Sequence, residues 1–92
     1  MTGSEPDQKV TVRYFAWVRE MTGTSSETLA LPADIETVRD LARWMQTRGD
    51  GFAAAFRTPE AIRAAIDRKH VAPDTKIGNA REIAFFPPMT GG

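Results

Sequence analysis

Two alternating segments lie so close together in this chain that one pairing dominates the reading. KVTVRYFAWV, from Lys9 to Val18, opens with Val10, Val12 and Tyr14 set against Thr11 and Arg13, the period of two expected of a strand with one buried face. SETLAL alternates again through Thr28 and Ala30 against Leu29 and Leu31, and Pro32 stops it. The WVREMTG stretch between them loses the alternation and ends at Gly23, which reads as a helical turn or a loop. Parallel neighbours need a crossover of about a dozen residues or more. The spacing therefore predicts an antiparallel hairpin.

The next stretch, TVRDLARWMQTRG, carries the strongest helix signals. Thr37 stands as N-cap, Asp40 follows three residues later near the positive end of the helix, and Gly49 lies just past its end. Val38, Leu41, Ala42 and Met45 recur at helical spacing as one apolar stripe, widened by Trp44. Such a stripe needs an apolar surface to cover, and one face of the sheet supplies it in a layered α+β arrangement.

From Asp50 to Gly78 the residues leave two readings open. FAAAF suggests a short helical turn. TPEAIRAAIDRKH fits a helix capped by Thr58 with Pro59 in its first turn, or a strand with Ile62, Ala64 and Ile66 on one face, and propensity favours the helix. The final EIAFF is a β-rich run with Ile83 and Phe85 on one side and Ala84 and Phe86 on the other, and Pro87 ends its ladder. Ile83 and Phe85 read as core. Arg19, Glu20, Arg39, Asp40, Arg43 and Arg48 read as solvated faces.

Composition narrows the chemistry. With 92 residues the chain is read as one domain, and no apolar run approaches the roughly 20 residues of a membrane span. Twelve Lys and Arg balance twelve Asp and Glu, so no bulk positive field recommends nucleic acid as a partner. No cysteine is present, which removes disulfides, thiolate ligands and a catalytic thiol; the single His70 lacks the companions of a triad or a metal site and reads as exposed or at a hairpin edge. Met1 to Gln8 shows no signal-peptide pattern. It is expected to be a short disordered arm, residues 9–86 a single domain and residues 87–92 an extended tail, with the cytoplasm as the expected location.

That tail, FFPPMTGG from Phe85 to Gly92, is the most specific motif in the chain. Pro87 and Pro88 fix φ and bias their predecessors toward extended backbone, launching the chain away from the sheet. Gly91 and Gly92 remove side-chain bulk, so the end can thread a narrow site. Six residues reach at most about 20 Å.

Taken with the first strand and the capped helix, the tail makes the chain resemble the small, sulfur-carrying subunits of molybdopterin synthase. VRYFAWVREMTG follows that family's pattern of a strand, Phe-Ala, Arg-Glu and Gly, and EIAFFPPMTGG follows its C-terminal signature. Three features depart from it: Asp67 where the family often has Asn in the strand AAID, Gly78-Asn79-Ala80-Arg81 where it usually has an acidic Gly-Asp turn, and the extra arm Met1 to Gln8.

The resemblance implies a ubiquitin-like β-grasp fold of class α+β, a mixed sheet of four or five strands on one main helix, with Ile62 to Ile66 as a strand. It also implies a role for Gly92, whose carboxylate would be adenylated by an E1-like partner using ATP and exchanged for a thiocarboxylate that donates sulfur to a pterin precursor. Pro87, Pro88, Met89, Thr90 and Gly91 would form the arm that presents it. The chain itself would bind no cofactor or metal and would be a non-catalytic subunit, joined to a large catalytic subunit in a heterotetramer through Phe15, Phe86, Pro88 and Met89 at the root of the tail. Two other uses of an activated terminus stand beside this one. A sulfur carrier for a thiamine-type product is disfavoured by FFPP, and a ubiquitin-like protein modifier differs only in the product that the activated glycine forms. A plain binding domain with an inert tail is the third.

Overall fold

A computed structural model describes residues 8–88. Gln8–Tyr14 (β1) and Ser26–Leu31 (β2) pair antiparallel, Val10 opposite Leu29 and Val12 opposite Glu27, as the spacing predicts. The short connection still holds a helix, Ala16–Thr22 (α1), closed by Gly23 in the left-handed region, whose N–H donates to the Arg19 carbonyl. β1 starts at Gln8, one residue before the alternation, and the rest of the arm, residues 1–7, lies outside the described residues.

Val38–Met45 (α2) is the principal helix, and its buried Val38, Leu41, Ala42 and Met45 are the stripe read from the sequence. Its N-terminus is closed from two sides. Thr37 Oγ1 accepts from the Asp40 N–H while the Asp40 carboxylate accepts from the N–H groups of Glu36 and Thr37, a complete capping box. Those two backbone hydrogen bonds hold the Asp40 carboxyl below the usual carboxylate range. The first two N–H groups of α2 that lack intrahelical partners, those of Val38 and Arg39, donate to Thr75 and Pro73 of the long loop before the last strand.

FAAAF belongs to Asp50–Ala55 (α3), which packs against α1. The approach is close: a Cβ on Gly51 would fall 2.3 Å from the Met21 carbonyl oxygen, so only glycine fits. In the next segment the strand reading holds and the helix reading does not, beyond one turn that Thr58 does not cap with its side chain. Pro59–Ala61 forms one 3-10 turn, and then Arg63–Ile66 (β3) runs as a strand with Ala64 buried on the core side. The weak helix preference yields there because β3 is hydrogen-bonded along both edges. Lys69–Val71 (β4), a strand not singled out in the sequence, pairs with β3 through the turn Asp67-Arg68, and His70 stands exposed on that edge strand.

Glu82–Phe86 (β5) enters between β1 and β3, parallel to the first and antiparallel to the second, giving the order β2-β1-β5-β3-β4. This is the mixed sheet, class α+β, that the resemblance implies. Tyr14, Phe56 and Phe85 meet at the centre of the core, Phe56 edge-on to Phe85 with centroids 5.0 Å apart and Tyr14 stacked on Phe85 at 6.5 Å. Burying each such side chain contributes about 1.5–3 kcal/mol, and well-set aromatic pairs add about 0.5–1.5 kcal/mol.

One expectation is corrected here. Arg48 is not part of a solvated face: its guanidinium grips the Glu27 carboxylate with both nitrogens, at 2.6 and 3.1 Å, and lies over the rings of Phe52 and Trp44. The carboxylate also accepts from Tyr14 Oη at 2.7 Å. The acid at β2 and the cation after α2 are 21 residues apart, so helical spacing could not pair them. Burial, followed by the bond to Glu27, pushes the Tyr14 hydroxyl well above its ordinary range, while the bond from Arg48 holds Glu27 below its own.

Candidate functional site

The parallel pairing of β1 with β5 puts two chain features side by side. Tyr14 lies opposite Phe85, and the next residue, Phe15, donates its N–H to the Phe85 carbonyl at 3.1 Å. The point where β5 leads into Pro87-Pro88 is thus beside the point where β1 turns into α1. That turn is abrupt. Phe15 is extended, φ −126° and ψ 155°, and Ala16 enters the left-handed region at φ +53°, a position that penalises any side chain and a bulky one most. This gives the Phe15-Ala16 pair a physical reason: the strand must end at once and leave Phe15 outside the core.

Phe15 is 43 % exposed, with the Arg13 guanidinium 5.8 Å from its ring centre. Phe86 is half-buried on the same side of the sheet, its ring 5.0 Å from that of His70. Pro87 and Pro88 are half-buried and follow β5 without joining its ladder. Of the residues expected at the docking surface, the structure therefore brings Phe15, Phe86 and Pro88 to one end of the sheet. Met89, with Thr90, Gly91 and Gly92, lies outside the described residues. Ile83 and Phe85 are buried, as read.

Several features near the site were not legible in advance. Trp17 and Met21 of α1 are exposed, 38 % and 47 %, one turn apart beside the same end of the sheet. The Asp67 carboxylate accepts from the N–H groups of Arg81 and Glu82 at 3.1 and 3.0 Å, fastening the β3–β4 turn to the start of β5. Asp67 thus sits in the turn rather than in the strand, at φ +48°, where Asp and Asn are the residues other than Gly most at ease. Its place between a strand and Arg68 was the available signal. Among the described residues no group of three or more His, Cys, Asp or Glu side chains could hold a metal ion, and no helix is long and apolar enough to cross a membrane.

A mixed five-stranded sheet laid on one principal helix, with its last strand leading out beside an exposed aromatic, defines a small ubiquitin-like β-grasp domain. Residues 12–92 match the ThiS family, and the chain belongs to that family. It is 37 % identical over 83 residues to the molybdopterin synthase sulfur carrier subunit of Escherichia coli (strain K12), covering 90 % of this chain and 99 % of that one. The subunit of the same name from Haemophilus influenzae is 32 % identical over 81 residues, 88 % of this chain and 96 % of that one. Among solved structures, a putative molybdopterin converting factor subunit 1 from Pyrococcus furiosus superposes with a TM-score of 0.70 at 25 % identity, covering 90 % of this chain and all of that one. The crystal structure of SAMP1 from Haloferax volcanii, at 20 % identity and a TM-score of 0.64 over 91 % of this chain and 99 % of that one, shares the fold.

Proposed function

We propose that this chain is the sulfur carrier subunit of a molybdopterin synthase and that Gly92 is the carrier residue. In this reading the Gly92 carboxylate attacks the α-phosphate of ATP on an activating enzyme, releasing pyrophosphate and leaving an acyl-adenylate. A sulfide-level donor then displaces AMP, and the resulting thiocarboxylate passes its sulfur to a pterin precursor held by a large catalytic subunit. The carboxylate becomes an electrophile only through that activation, and the small terminal residues let it enter the sites where both steps occur.

The observation that carries this reading is the tail FFPPMTGG on a strand that leads out of the sheet beside Phe15, in a chain that matches the Escherichia coli carrier over 99 % of its length. Likeness to the archaeal SAMP1 is one of fold, so a protein modifier is an outcome of the test rather than an equal reading. Incubated with an activating enzyme, ATP and a sulfur donor, the protein should gain the mass of sulfur in place of one oxygen. An unchanged intact mass sinks the carrier reading, and conjugates on lysines without any thiocarboxylate would make the chain a modifier. Deleting Gly92 should abolish sulfur transfer with the thermal transition unmoved.

Phe15, Phe86 and Pro88, with Met89, form the docking surface for the large subunit in this reading. An aromatic anchor desolvated at an interface typically costs about 2 kcal/mol or more when truncated, roughly a thirtyfold loss of affinity. Phe86→Ala should lose that much by titration calorimetry against the large subunit. Unchanged affinity would return Phe86 to bare surface.

A further inference from the structure

The side of the sheet turned away from the helices has an uneven charge pattern. Alternation places Lys9, Thr11 and Arg13 of β1 with Phe15 just beyond it, Glu82, Ala84 and Phe86 of β5, Arg63 and Ala65 of β3 and His70 of β4 on that side. The two carboxylates nearest the middle of the face are already committed: Glu82 pairs with Arg13 at 3.2 Å, and Asp67 accepts from two backbone N–H groups; Glu60, near Arg63, makes no ion pair among the described residues. Lys9, Arg63 and Arg68 make no ion pair among the described residues. The whole chain is neutral, so this face holds a local cationic excess balanced by acids elsewhere.

The middle of the face is shaped as well as charged. Ala65 and Ala84 pair across β3 and β5, and their short side chains leave a depression of about 170 Å³ walled by Arg13, Phe15, Arg68 and Glu82. Arg68 reaches this wall from the second residue of a two-residue hairpin turn, at φ +76°, where glycine is the usual occupant and a side chain is disfavoured.

We propose that this face binds a protein surface presenting one apolar side chain flanked by carboxylates, the apolar group seated over Ala65 and Ala84 and the carboxylates meeting Arg63 and Arg68. The proposal rests on the reading of Phe15 and Phe86 as the docking surface and adds the chemistry of the partner. Charge complementarity selects an acidic surface, and the depression admits a side chain rather than a strand. Three cations without an ion pair among the described residues, of which only Arg68 borders the alanine floor, are too few for the backbone contacts and extended stacking platform that single-stranded nucleic acid uses.

The test measures affinity of the full chain for a purified large subunit of molybdopterin synthase at about 50 and 300 mM salt, where screening of exposed charges differs strongly. Arg68→Glu and Arg63→Glu should each weaken binding about tenfold at low salt and by much less at high salt, whereas Phe86→Ala should weaken it at both. Arg68→Gln, which removes charge without reversing it, should fall between. Circular dichroism melts confirm folding. If Phe86→Ala binds weakly but the arginine variants match wild type at both salts, the docking surface stands and its acidic partner does not. If Phe15→Ala and Phe86→Ala also match wild type, the docking reading fails and this proposal with it. Tighter binding of a single-stranded oligonucleotide than of the subunit, lost in Arg68→Glu, would overturn the proposal in favour of nucleic acid.

Discussion

The two sides of one sheet are built by the same strands and differ in almost everything else. On the helical side Val12, Tyr14, Ile83 and Phe85 are sealed beneath α2 and α3, and the ion pair of Glu27 with Arg48 is half-buried and shared with the Tyr14 hydroxyl. On the other side no helix lies over the strands among the described residues; Phe15 is exposed, and the Arg13–Glu82 pair joins a half-exposed arginine to a carboxylate about as buried as Glu27. The contrast teaches that strand alternation separates core from surface within β5: Ile83 and Phe85 are buried, while Glu82, Ala84 and Phe86 face outward, where the proposed docking would occur.

The sharpest break of that comparison uses adjacent residues. Phe85→Ala opens a cavity among Tyr14, Phe56 and Phe85's other neighbours and should destabilise the fold by about 3–5 kcal/mol in urea unfolding. Phe86→Ala, one residue on, should cost less than about 1.5 kcal/mol, its ring being only half-buried against His70. Equal losses would mean that the outward side is also core.

Gly51→Ala tests how tightly the helical side is closed. Its new Cβ would meet a backbone carbonyl, that of Met21, which cannot swing aside as a side-chain tip can. The helices must part, and overpacking of this kind costs about 1–3 kcal/mol. Because α1 follows directly on Phe15, the same variant should weaken large-subunit binding beyond what its stability predicts. A melting temperature unchanged from wild type would show that α1 and α3 are not rigidly joined.

Much of this was readable in advance wherever local chemistry and tertiary demand agree. The hairpin, the capped helix with its stripe and the buried alternation of EIAFF each depend on residues within a few positions of one another. Reading failed where the partner is distant or the conformation is set by the turn. Nothing near Arg48 announces Glu27, and helix propensity in AIRAAI gave way to two sheet edges waiting to be filled. The short strand Lys69–Val71 has no pattern long enough to detect, and its existence follows from the left-handed Asp67 and Arg68. For the site, the tail motif was legible and the position of Phe15 beside the end of β5 was not, since only the parallel pairing creates it.

The two ion pairs give the finest version of the comparison, because the same substitution can be made on each face. Glu27→Gln removes a charge that accepts from both Arg48 and Tyr14 in a half-buried place, and should cost about 1–2 kcal/mol at neutral pH. The sign with pH follows from the cause: the bond from Arg48 lowers the Glu27 carboxyl below its ordinary 4.5, so folding favours the ionised form. That stability is fully present above pH 4.5 and is lost as the pH falls through the lower folded value. The gap between wild type and Glu27→Gln should therefore close on acidification below that point, even though the similarly lowered Asp40 keeps both proteins acid-sensitive. Glu82→Gln breaks a pair whose arginine side chain is 50 % exposed, and should move stability by no more than about 0.5 kcal/mol. Chemical denaturation of the two variants at neutral pH decides the matter: a Glu82→Gln loss as large as that of Glu27→Gln would show that the outward pair also holds the fold together.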